Sequence, residues 1–143
     1  MTACVLDANI AAKWFLPSSD EKLFAEAREL LLRHQSGKLE FLVPDIFWAE
    51  CGNIFWKATR SGRCSRHDAE VSLSTLKYGR LVTIPAFELV ESAFSIAITF
   101  TRSFYDSLYV ALAVQSGTQL VTADEKLSNA LAGKYPVKWL GSI

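Results

Sequence analysis

Four carboxylates sit beside or within strongly apolar segments. Asp7 closes the run TACVL, Glu50 interrupts IFWAECGNIFW, Asp106 lies near the start of SFYDSLYVALAV, and Asp124 follows QLVTA. Acidic side chains are almost never fully buried without a partner. Each of the four has a structural explanation of its own. Asp7 can cap a following helix, and Thr122 with Glu125 can form a capping box at Asp124, whose charge suits a helix's first turn. Glu50 can share a polar stripe with Asn53 and Lys57, and a first helical turn tolerates Asp106. Jointly they point to chemistry. Four carboxylates converging on one pocket repel each other and raise each other's pKa values, so such a cluster is stable only around cations. Hard oxygen ligands without Cys or His select Mg²⁺ or Mn²⁺. A divalent ion at an open carboxylate site acidifies a bound water, orients a phosphate and neutralises a leaving oxygen, which is what phosphodiester hydrolysis requires.

The surrounding pattern has to bring these residues together. Residues 2–6 read as a short buried strand ended by Asp7, and a helix over 10–15 follows and stops at Pro17. Ser18 or Ser19 is expected to cap a longer helix in which Leu23, Phe24, Ala27, Leu30 and Leu31 recur at helical spacing. Residues 41–43 form a second strand. Asp45 opens a helix to about Arg60, and Ser65 caps another over 66–78. Residues 81–84 make a third strand, stopped by Pro85. A helix over 87–100 follows, with Val90, Ala93, Phe94 and Ala97 on one face, and then a helix over 104–116. Residues 119–122 form a fourth strand, 124–132 a helix and 137–140 a last strand. Strands alternating with helices predict an α/β fold: one three-layer α/β/α domain over residues 1–143, with a short, central, mostly parallel sheet. The strands are almost wholly apolar, as strands covered on both faces should be. Ligands bind such sheets at the carboxyl ends of the strands, where Asp7 and Asp124 fall.

Composition narrows the function. The chain has 143 residues, 15 Lys and Arg against 15 Asp and Glu, and is half hydrophobic. That apolar fraction excludes intrinsic disorder, and the zero net charge excludes a bulk polycation. The residues from Met1 to Leu16 do not read as a targeting or membrane segment, because Asp7 and Lys13 interrupt them. No apolar run approaches the roughly 20 residues that span a bilayer. Cys4, Cys51 and Cys64 have no metal-binding spacing and read as reduced thiols, and His34 and His67 lie in polar surroundings. A cytoplasmic location is expected.

The segments VLDANIAAKWFLP, VPDIFWAECGN, YDSLYVALA and LVTADEKL resemble, in order, the four motifs of PIN-domain ribonucleases, most nearly the VapC-type toxins of toxin–antitoxin pairs. The resemblance runs from about Val5 to Trp139 and places the family's acidic quartet on Asp7, Glu50, Asp106 and Asp124. It implies an Mg²⁺- or Mn²⁺-dependent endoribonuclease, a homodimer, and inhibition by a small antitoxin. A metal-activated water would attack the phosphorus in line, leaving a 5′-phosphate and a 3′-hydroxyl. Many members carry Ser or Thr where this chain has Asn9, whose amide can still hold a water or phosphate. Two other readings compete. A PIN scaffold could serve as a non-catalytic binding module. An aspartate-dependent phosphatase would also open with an acid after its first strand, but would need Asp where Asn9 stands.

Three features fall outside the quartet. Lys57, Arg60, Arg63, Arg66 and His67 form either a phosphate-contacting patch or an ordinary solvated helix end. Arg102 is placed to clamp a phosphate or to pair with a neighbouring acid. Trp14, Phe47, Trp48, Phe55 and Trp56 exceed what one face of one helix buries, which predicts a second burial surface for a dimer or an antitoxin helix.

Overall fold

The computed structural model describes residues 2–143; Met1, the first residue of the N-terminal segment read above, lies outside them. Five strands form one sheet in the order β3-β2-β1-β4-β5: β1 (Thr2–Leu6), β2 (Leu39–Pro44), β3 (Val82–Ile84), β4 (Gln119–Thr122) and β5 (Val137–Trp139). Every pairing is parallel, with Val5 opposite both Leu42 and Leu120. Val5, Leu6, Phe41, Val43 and Leu120 are wholly buried, as a parallel sheet covered by helices demands. From β1 the chain steps to β2 and β3 on one side, then returns to place β4 and β5 on the other. The order therefore reverses between β1 and β4, where a crevice opens at the strands' carboxyl ends.

Seven helices flank the sheet among the described residues: α1 (Ala8–Lys13), α2 (Phe24–Gln35), α3 (Ile46–Arg60), α4 (Arg66–Lys77), α5 (Val90–Phe100), α6 (Phe104–Ser116) and α7 (Glu125–Leu131). Helix α6 is the core helix. It begins after Ser103, whose hydroxyl accepts the Asp106 N–H at 3.0 Å, and ends at Gly117 with φ +65°. Residues 107–113 are buried without a break, and the helix packs against β1, β2 and β4. Burying each large apolar side chain contributes roughly 1.5–3 kcal/mol, so α6 is firmly seated. Helix α3 turns Phe47, Cys51, Phe55 and Ala58 inward, a spacing of four, four and three that makes one helical face. Its other side is free.

Several expectations are corrected. Ser18 and Ser19 do not cap α2. That helix starts after Leu23, which adopts φ +59°, while residues 17–22 run through turns. Lys13 and Arg63 both bind Glu21, and Arg63 approaches Asp20, so the acids are tied to neighbouring elements before the helix begins. The helix expected over 87–100 splits into a 3₁₀ turn (Ala86–Glu88) and α5. Its buried residues are Ala93 and Ile96, whereas Val90 and Phe94 face solvent with Phe87 and Ile98. Glu91, Ser92, Ser95 and Thr99 mark one outward side of α5, but its apolar arc is wider than the strip the core covers and leaves Val90, Phe94 and Ile98 in solvent. The excess of aromatics is also placed differently. Phe47 and Phe55 are fully buried, Trp14 and Trp48 pack against the core, and only Trp56 is exposed. His34 is buried, stacked on Phe41, with both ring nitrogens within hydrogen-bonding distance of backbone carbonyls of Leu39 and Gly79. Among the described residues no helix is long and apolar enough to cross a membrane.

Candidate active site

The crevice at the switch point holds a cavity of about 200 Å³ lined by Asp7, Ala8, Asn9, Glu50, Asn53, Ile54, Asp106 and Asp124. All four acids singled out in the sequence therefore meet there, from four different parts of the chain. Asp7 leaves the end of β1, its N–H bonded across to the Val121 carbonyl of β4 at 3.2 Å. Asp124 stands two residues past β4 and caps α7, accepting the Leu127 N–H at 3.1 Å. The capping box expected from Thr122 and Glu125 is thus replaced by Asp124 itself. Glu50 and Asp106 project from α3 and α6, two of the helices that pack against the sheet.

Two residues hold the acids in place: Thr122, read from sequence only as a capping residue, and Tyr109, which sequence reasoning passed over. The Thr122 hydroxyl donates to Asp7 Oδ2 at 2.9 Å and accepts the Asp124 N–H at 3.0 Å and the Asn9 side-chain amide at 3.5 Å. Asn9 Oδ1 in turn accepts the Ala123 N–H at 3.2 Å. One buried oxygen thereby joins the ends of β1 and β4. Tyr109, itself buried, donates its hydroxyl to Glu50 Oε1 at 2.5 Å. It lies three residues after Asp106, so one face of α6 presents a carboxylate to the pocket and then a phenol to the Glu50 that lines it. The signal that could have found Tyr109 was a polar tip in an otherwise apolar helix. For Thr122 it was a hydroxyl at the last position of a buried strand.

The electrostatics follow from crowding and burial. Asp7 is raised from 3.8 to about 7, chiefly by loss of solvent and further by Glu50 and Asp106, against the lowering effect of the Thr122 hydrogen bond. Glu50 is raised by burial and by Asp106, opposed by Tyr109. Asp106 is raised by burial and by Asp124, opposed by Ser103 and the Arg102 charge. These acids repel as the sequence implied. Among the described residues no three of them are drawn into a finished metal cage. The all-oxygen donors, their mutual repulsion and the open cavity between them nevertheless suit a hard divalent cation. Arg102 forms no ion pair among the described residues, and its buried Nε has no hydrogen-bond partner. Glu50 forms no ion pair with Lys57 either, and turns instead toward Tyr109 and the pocket.

An all-parallel five-stranded sheet with an acidic pocket at its switch point defines the class. Residues 4–131 match the PIN domain, and the chain belongs to that family. It is 29% identical over 134 residues to Ribonuclease VapC3 of Pyrobaculum aerophilum, covering 92% of this chain and 94% of that protein. Two solved structures share its fold. PAE2754 from Pyrobaculum aerophilum superposes with a TM-score of 0.70 at 22% identity, over 99% of this chain and 85% of that one. A toxin–antitoxin complex from Klebsiella pneumoniae does so with a TM-score of 0.64 at 17% identity, over 94% and 95%.

Proposed function

We propose that the protein is a divalent-metal-dependent endoribonuclease and the toxin of a toxin–antitoxin pair. The observation that carries this reading is the meeting of Asp7, Glu50, Asp106 and Asp124 around one cavity in a PIN domain. Similarity to a ribonuclease and to a chain from a toxin–antitoxin complex supports it. Asp7, Glu50, Asp106 and Asp124 would hold Mg²⁺ or Mn²⁺. Such an ion supplies charge neutralisation at the phosphate and a water acidic enough to attack near neutral pH. The chain's own groups do the positioning. Thr122 fixes the Asp7 carboxylate, Tyr109 fixes Glu50, and Asn9 at the cavity wall and Arg102 near Asp106 would help hold a water or a phosphate oxygen. Buried surroundings strengthen each of these interactions.

A homodimer and a small antitoxin belong to the same reading. In this reading the dimer surface would lie not on the α3 aromatics expected from sequence but on the 3₁₀ turn and the outward face of α5, where Phe87, Val90, Phe94 and Ile98 are exposed. Exposed large apolar side chains grouped in this way favour burial against another chain. The three cysteines are free thiols, in keeping with work in the cytoplasm.

The test is cleavage of single-stranded RNA by purified protein with Mg²⁺, with chelator, and with Asp7→Asn or Asp106→Asn. Cutting that needs both the metal and the two acids supports the reading. Equal cutting under all these conditions, or none by the unaltered protein with Mg²⁺ or Mn²⁺, overturns it.

A further inference from the structure

The basic segment at the end of α3 divides in the structure into two unlike parts. Arg63 is bound to Glu21 and lies near Asp20, and Arg66 is bound to Glu70. These cations are already partnered. Lys57 and Arg60 make no ion pair among the described residues. The Arg60 guanidinium lies 4.8 Å above the ring of Trp56, which is 55% exposed. Asn53, Trp56, Lys57 and Arg60 are all exposed, and their spacing of three, four and seven residues puts them on one side of the helix. That side is opposite Phe47, Cys51, Phe55 and Ala58. Asn53 lines the acidic cavity, and Glu50 one turn earlier is the only acid in α3.

We propose that this face of α3 is a track for single-stranded RNA leading away from the cleavage pocket. Asn53 stands at its mouth, the Trp56 ring stacks an unpaired base, and Lys57 and Arg60 meet the phosphates. The inference rests on the ribonuclease reading above and adds to it the surface on which the strand lies and the side from which it enters. From Glu50 to Arg60 the helix rises about 15 Å, room for a few nucleotides of an extended strand. Arg60 covers one face of the indole and holds its rotamer, leaving the other face available to a base. An aromatic platform flanked by cations is the recurrent solution for binding single strands without reading sequence. The apolar surface that would suit a protein partner is concentrated on α5 instead.

The test measures binding of a labelled single-stranded RNA of about 12 nucleotides, a length within ordinary single-strand site sizes, by fluorescence anisotropy in chelator. It is paired with kcat and KM in Mg²⁺. Trp56→Ala and Arg60→Ala each weaken binding about tenfold and raise KM to match, with the loss falling on KM rather than kcat. Lys57→Ala and Arg60→Ala each reduce the slope of log affinity against log salt by about 0.7. Trp56→Phe recovers much of the affinity, and binding of a blunt duplex is insensitive to Trp56→Ala. If Trp56→Ala and Arg60→Ala, with unchanged melting temperatures, bind and cleave RNA like the unaltered protein, the track is overturned while the ribonuclease reading stands. The exposed Trp56–Arg60 pair would then be assigned to a protein contact. If the unaltered protein neither binds nor cleaves RNA, both fall together.

Discussion

The two ends of the sheet hold cavities of opposite character. At the amino ends of β1 and β4 a space of about 860 Å³ is lined by apolar side chains such as Leu30, Val114 and Ile143, with Arg33, Lys134 and Lys138 among its cations. At the carboxyl ends the space is about 200 Å³, and half of its lining residues are carboxylates. By size alone the amino-end cavity would be taken for the site. We place the chemistry in the smaller one, because there polar side chains from separate elements converge and constrain one another. Parallel strands explain the asymmetry. Their carboxyl ends feed loops and helix starts, where Asp7 and Asp124 both act as caps, while the switch between β1 and β4 leaves a gap at that end.

The contrast can be broken most sharply at Asp7. Asp7→Asn should lower metal-dependent RNA cleavage by about a thousandfold, since a metal ligand supplies several kcal/mol of transition-state stabilisation. Steady-state rates with and without Mg²⁺ check this.

The next effect is on stability, and its sign is opposite. Asp7 is raised from 3.8 to about 7 in the folded chain, so the folded state holds the proton more tightly than the unfolded one. Stability without metal therefore falls as pH rises from about 4 to about 7, by at most about 4 kcal/mol. Melting curves in chelator should show a higher midpoint near pH 5 than above pH 7. Asp7→Asn should flatten that difference, and added Mg²⁺ should restore stability at the higher pH. An inactive variant that is more stable than the native chain near neutral pH is the expected signature of the acidic pocket.

A smaller change separates holding an acid from being one. Tyr109→Phe removes only the hydroxyl that meets Glu50, and should cost about 10- to 100-fold in Mn²⁺ affinity. Calorimetric titration reads it directly, and the effect should vanish in a Glu50→Gln background. At the other end of the sheet, Lys134→Ala and Lys138→Ala should leave cleavage rates within about twofold. A larger loss there would mean that the two cavities cooperate.

Much of this was legible in the sequence. Acids breaking apolar segments picked out the four carboxylates that line one cavity, and short apolar strands separated by helices specified a parallel sheet with the acids at one end. Less legible were features set by tertiary contact. Leu23 starts α2 because ion pairs to Lys13 and Arg63 detain Glu21, and no local pattern encodes a contact spanning 42 residues. The exposure of Val90, Phe94 and Ile98 on α5 was not legible, because its apolar arc is wider than the strip the core covers. His34 is buried because its ring stacks on Phe41 and lies against two backbone carbonyls, although its sequence neighbours are polar. Tyr109 read as part of a core helix and Thr122 as a capping residue; both are buried, and their role beside the acids is visible only once their hydroxyls are placed against Glu50 and Asp7.

The Thr122 hydroxyl has a consequence for how this chain can change over time. Asp7, Asn9 and Asp124 all lean on that one oxygen, so the effect of altering any of them depends on the state of the others. Damage at one position should mask damage at the next, and a single reversion should restore little until its companions are restored as well. The four residues would then be inherited, lost or replaced as a set, with few tolerable intermediates between one working arrangement and another.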